Sequence, residues 1–213
     1  MRTAATIFVS LLFSGAVQAL DLNDLGQPTA RTPYDKYFGS VVQLMATSSG
    51  QVTLTEVQQL NRQGRSFRYS FTTPYIPQPP DVTEATRSGD CKAKSLWLAD
   101  RARDRRLRFV VGKLREGAKQ SHAWLMWNEN GNWWVIDPTV QSTPKPASGI
   151  GQRDWVPLFS YTHTGMLQHN ATARYAINWD YPDPIGVEET PRMLPWWLQP
   201  LQPGAARALQ PQR

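Results

Sequence analysis

The stretch that decides the fold is SHAWLMWNENGNWWVIDPT, residues 121–139. Asn130-Gly131 suits a two-residue turn whose central residues both take positive φ, and aromatic and β-branched residues flank it on both sides. The segment therefore reads as a β-hairpin. Counting outward from the turn sets the register. Trp127 opposes Trp134, Met126 opposes Val135, Trp124 opposes Asp137 and His122 opposes Thr139. Opposed residues share a face, as do residues two apart on one strand. His122, Trp124, Met126, Val135, Asp137 and Thr139 then lie on one face, and Ala123, Leu125, Trp127, Trp134 and Ile136 on the other. His122 and Asp137 become diagonal neighbours with Cβ atoms ~7–8 Å apart at most, within reach of an imidazole and a carboxylate that lean together.

Upstream, SGDC (88–91) precedes KAKSLWLADRARDRR. Ser88 or Asp90 can cap a helix expected to run from Cys91 to about Arg105. Cys91, Ser95, Leu98 and Ala102 fall on one stripe of it. A thiol at a helix start is favoured as thiolate by the peptide dipoles, and a nearby imidazolium favours it more strongly. Lys92 and Lys94 oppose the helix dipole, but their charge also favours an anion. A cysteine at a helix start, a histidine on a strand and an acid that orients it are the parts of a thiol nucleophile with its base.

These motifs together resemble the transglutaminase-like superfamily: Gly-Asp-Cys opening a helix, Ser-His-Ala-Trp on a strand, and Trp-Trp-Val-Ile-Asp-Pro-Thr on the next. The resemblance covers about residues 85–140. It implies an α+β, papain-like core, with the cysteine at the N-terminus of a helix packed on an antiparallel β-sheet. It implies Cys91 as nucleophile, His122 as general base and acid, and Asp137 as orienter. It also implies a thioester formed with a peptide or amide carbonyl. Hydrolysis is favoured over transamidation, because water is abundant and no amine site is identified. Analogy with other cysteine hydrolases makes the Cys91 backbone N–H one candidate oxyanion donor. Tyr75 and Gln78, in the loop upstream, are candidates for a second donor. Trp124 either walls the cleft or, as the default, packs in the core. No cofactor is implied.

Working outward, the 213 residues suffice for one domain, expected over 20–198. The first nineteen residues, MRTAATIFVSLLFSGAVQA, have the positive start, apolar run and small-residue cleavage site of a secretory signal, so a secreted or periplasmic protein is expected. No apolar run reaches the ~18 residues that span a bilayer. The Pro- and Gln-rich end, 199–213, is expected to be a mobile tail. Thr53-Leu54-Thr55-Glu56 has capping-box spacing and starts a short helix, about 54–63, that Gly64 can end. Phe67, Tyr69 and Phe71 alternate as in a half-buried strand. Pro74, Pro77, Pro79 and Pro80 make an extended connection. Residues 35–45 fit a short helix or a strand, and 107–114 a strand. Trp155, Trp179, Trp196 and Trp197 suggest that parts of 150–198 pack back onto the domain.

One cysteine excludes an internal disulfide and a cysteine-only zinc site, and three histidines leave little for a metal centre. His163 and His169 read as ordinary surface or loop residues. Asn170-Ala171-Thr172 fits the glycosylation pattern, which is short enough to arise by chance. The basic run RARDRRLR (101–108) reads as a solvated helix face. The net charge of +6 permits nucleic-acid contact, but no binding motif supports it and none is expected. The expected partner is a protein or peptide substrate, with cell-wall peptide in that class. The competing function is a non-catalytic module that binds such peptides on the same fold.

Overall fold

The structure, a computed structural model, describes residues 25–175 and 177. The expected signal segment, the 199–213 tail and Trp179, Trp196 and Trp197 lie outside the described residues. No helix among the described residues is long and apolar enough to cross a membrane.

The hairpin forms as the turn chemistry requires. Strands β5 (His122–Glu129) and β6 (Asn132–Ile136) pair antiparallel, with Trp127 opposite Trp134 and Met126 opposite Val135. Asn130 and Gly131 take φ of 51° and 85°. The ladder closes at Leu125–Ile136, so Asp137 and Thr139 continue past its end. The hairpin belongs to a seven-stranded antiparallel sheet. The other strands are β1 (Gln27–Thr29), β4 (Leu107–Arg115), β7 (Lys145–Pro146), β8 (Asp154–Thr162) and β9 (Gly165–Gln168), in the order β1-β9-β8-β4-β5-β6-β7. The architecture is α+β.

Alternation sorts the hairpin onto two cores. Ala123, Leu125, Trp127 and Ile136 join the larger core, against helices α1 (Gly39–Thr47), α2 (Leu54–Ser66) and α4 (Cys91–Ala102). Trp124, Met126 and Val135 join the smaller core on the opposite face, closed by Ala147, Ile150, Trp133 and Trp155. Ser95 Oγ donates to Ala123 O at 3.3 Å and ties α4 to β5.

Several local expectations change. Residues 35–45 resolve into a turn and then α1. The capping box at Thr53 and Glu56 forms, but α2 runs through Gly64 to Ser66. Gly64 serves close packing rather than helix termination: a Cβ there would lie 2.8 Å from Pro138 Cβ and 3.1 Å from Trp97 Cζ3. The strand expected at 67–71 shrinks to β2 (Arg68–Tyr69), which pairs parallel with β3 (Ser88–Gly89). Phe67 is buried there and Phe71 exposed. The proline segment is not extended throughout, because Pro80 opens helix α3 (Pro80–Thr86) at its first turn, where a missing N–H costs nothing. Helix α4 stops at Ala102 because Arg103 turns left-handed at φ 46°. The basic run therefore leaves the helix. There Arg106 pairs with the buried Asp104, which also accepts from Val52 N and Trp127 Nε1.

Strand β8 carries Pro157, which the ladder tolerates only at an irregularity. Val111 faces Phe159 but Gly112 faces Pro157, leaving Leu158 as the extra residue of a bulge. Gly112 is needed there: a Cβ would sit 2.0 Å from Val156 O and 2.8 Å from Trp124 Cη2. His169 is buried, not a surface residue, and its Nε2 lies 2.5 Å from Ser160 Oγ. His163 is exposed in the β8–β9 turn. In the glycosylation pattern Asn170 is exposed, while the Thr172 hydroxyl bonds to His169 O.

Candidate active site

Asp90 builds the start of α4. Its Oδ1 accepts from Ala93 N at 3.1 Å as the N-cap. Its Oδ2 accepts from Thr72 N and Thr72 Oγ1 at 3.2 and 3.1 Å, and from the Lys92 ammonium in a short, fully buried ion pair. The carboxylate thus caps the helix and anchors the loop before it. Of the two caps open in the sequence, Asp90 is the one used, and Ser88 lies in β3. Cys91 follows as the first helical residue, a buried free thiol.

His122 begins β5, and its Nε2 lies 2.6 Å from Asp137 Oδ2. The Cys91 thiol lies near enough to the imidazole to act on its charge, and Nδ1 is the ring nitrogen that Asp137 leaves unengaged. Thiol, ring and carboxylate therefore lie in one buried cluster, although Cys91 and Asp137 are 46 positions apart in the chain. The His122 and Trp124 rings are stacked at 6.0 Å and 20°. Burial alone would push His122 down, but the Asp137 carboxylate and then the Cys91 sulfur outweigh it and hold the ring well above its ordinary value. Burial likewise opposes ionisation of Asp137. His122, Trp155 and the Thr139 N–H overcome it and hold the carboxyl below its ordinary range.

Trp155 is the part that sequence reasoning missed. The sequence marks it only as an aromatic that packs back onto the domain, yet its Nε1 donates to Asp137 Oδ2 at 2.8 Å. The only available signal was a tryptophan in a polar stretch after the hairpin, which names no partner. Trp155 also holds φ at 46°, a conformation that costs a non-glycine residue about 1–3 kcal/mol.

The remaining candidates sit around this centre. Tyr75 is buried in the larger core, stacked on Phe38 at 5.9 Å, with the Lys92 ammonium 4.6 Å above its ring. Gln78 Nε2 donates to Ser88 O at 3.2 Å and Thr86 Oγ1 at 3.3 Å, so its amide is engaged in the loop. Trp124 is fully buried in the smaller core. No group of three or more His, Cys, Asp or Glu among the described residues could hold a metal ion.

No family model matches the sequence, and neither does any curated protein. Solved structures similar to the chain include Legionella pneumophila LapG, at 14% identity over 68% of this chain and 85% of that one, with a TM-score of 0.47. The calcium-bound form of LapG is similar at 16% identity over 65% and 81%, with a TM-score of 0.46.

Proposed function

We propose that this chain is an exported, transglutaminase-like cysteine enzyme acting on peptide or amide bonds. Cys91 is its nucleophile, His122 its base and acid, and Asp137 its orienter. The observation that carries the reading is the buried His122–Asp137 pair at 2.6 Å, with the buried Cys91 thiol near enough to act on the ring. A ring fixed by a carboxylate on one nitrogen presents the other to the thiol, the arrangement that makes a thiol nucleophilic at neutral pH.

The Cys91 thiolate attacks the carbonyl carbon of the scissile amide and forms the C–S bond. The Cys91 backbone N–H, at a helix start, faces the developing oxyanion. The His122 imidazolium gives its proton to the leaving nitrogen as the C–N bond breaks, leaving a thioester. His122 then takes a proton from water, whose oxygen attacks the thioester carbon. The acid is released and the thiol regenerated. Hydrolysis is the favoured outcome, because no amine-binding site is identified. The substrate class is protein or peptide, cell-wall peptide included. The signal-like first nineteen residues support secretion or a periplasmic location.

The test is selective labelling by iodoacetamide, with peptide libraries screened by mass for cleavage, deamidation and crosslinking. Cys91 is expected to label faster than a free thiol at neutral pH, and Cys91→Ala to abolish turnover. A Cys91 that labels like a free thiol, with turnover unchanged in Cys91→Ala, would sink the proposal.

A further inference from the structure

Lys94 is a residue that the proposed reaction does not use, and it lies buried beside the reacting groups. It is only 1% exposed, rare for a lysine. It sits one helical turn from Cys91, on a neighbouring position of α4. Its ammonium donates to Phe67 O at 2.6 Å, its sole hydrogen-bond partner among the described residues. One carbonyl does not repay the burial of a cation with three donors. The rest must come from nearby charge. The anionic groups that act on it are Asp137 beyond β6, Cys91 on its own helix and Asp90 at the cap, whereas Arg65 on α2 opposes its charge.

A count of buried charge gives these contacts a purpose. Asp90 is matched by Lys92 in their ion pair. Of the remaining groups, Asp137 is negative and His122 positive when protonated, and the reactive form adds a negative Cys91. Without a fourth charge the ionised site carries one uncompensated negative charge among residues 7% exposed or less. Such a site relieves itself by keeping a proton on sulfur.

We infer that Lys94 is the charge-balancing residue of this site: its ammonium offsets the Asp137 carboxylate and leaves the His122 imidazolium to hold the Cys91 thiolate. This rests on the proposed role of Cys91. Lys94 is a positioning residue that touches no substrate. Burial first, and Arg65 next, bring its own ionisation down to about 8, against the pull of the three anionic groups. The balance therefore weakens as pH rises through that value.

The chain's sole cysteine makes a thiol label specific for this site. Iodoacetamide labelling of the full chain is followed at neutral pH, against a free thiol. Wild-type Cys91 is expected to label faster than the free thiol. Lys94→Met, which keeps length and loses charge, is expected to label about tenfold more slowly than the wild type. A folded Lys94→Met that labels at the wild-type rate overturns the Lys94 inference alone. A wild-type Cys91 that labels like a free thiol overturns the proposed function and this inference with it.

A second measurement does not depend on that variant folding. Coupling is reciprocal, so removing the thiolate must lower the Lys94 midpoint. The Cε resonance of Lys94, followed by NMR in wild type and Cys91→Ala, is expected to titrate at a lower pH in the variant. Identical midpoints overturn the inference.

Discussion

Asp137 accepts from four donors on two oxygens. His122 Nε2 and Trp155 Nε1 approach Oδ2, while Thr139 N and Val140 N approach Oδ1. The backbone donors set the plane of the carboxylate, and the indole decides which lone pair is left for the imidazole. Trp155→Phe keeps most of the ring and removes only this N–H. A hydrogen bond to a charged group contributes about 1.5–3 kcal/mol, so urea unfolding should show a loss of that order. The looser imidazole should also slow Cys91 labelling at neutral pH by about tenfold, a fall of about 1.4 kcal/mol in reactivity. A variant that lost stability while labelling at the wild-type rate would restrict Trp155 to packing.

At the scale of elements, the β4–β8 bulge lets a proline-bearing strand join the sheet. Gly112 leaves room for Val156 O and for the edge of Trp124, whose ring stacks on His122. In Gly112→Ala the added methyl meets backbone, which cannot swing aside as a side chain can. The expected cost is about 3 kcal/mol or more, read from the urea midpoint. Labelling should also slow, because Trp124 is displaced toward the imidazole. A bulge that absorbed alanine with less than about 1 kcal/mol lost would show that β4 and β8 are not held this closely. Helix α4 shows how much of an element is local. Its start follows from the Asp90 cap and was readable. Its end came three residues earlier than the pattern suggested, because Arg103 turns so that Asp104 can enter the core and bind Val52, Arg106 and Trp127. No periodicity within the helix carries that information.

For the whole molecule, the buried His122–Asp137 contact links stability to pH from both sides. His122 is raised from 6.5 to about 10 in the fold. The stability it contributes is complete below its unfolded value and is lost as pH rises from there through about 10. Asp137 is lowered from 3.8, so its contribution is complete above that value and is lost as pH falls through its folded value. Thermal unfolding followed by circular dichroism should therefore show a midpoint highest between about pH 4 and 6.5, falling on either side. The double variant His122→Gln/Asp137→Asn should flatten both limbs. Limbs that persist unchanged would assign the pH dependence to other groups.

The amino-acid sequence by itself determined the elements whose causes are close along the chain. Asn130-Gly131 set the turn and, with the period of two, the register and faces of β5 and β6. Thr53 with Glu56 and Asp90 with Ala93 set two helix starts through side chains bonding backbone three residues on. The convergence of Cys91, His122 and Asp137 was an expectation drawn from their motifs, and only the docking of α4 against the sheet brought them near one another. That docking also decided why Gly64 is a glycine, how β8 carries Pro157, that Trp155 bonds to Asp137, and that Lys94 is buried one helical turn from Cys91. Turns, caps and alternation act over a few residues and leave a pattern in sequence. Close packing and buried charge depend on which distant segments are brought together, and no single segment records its partner.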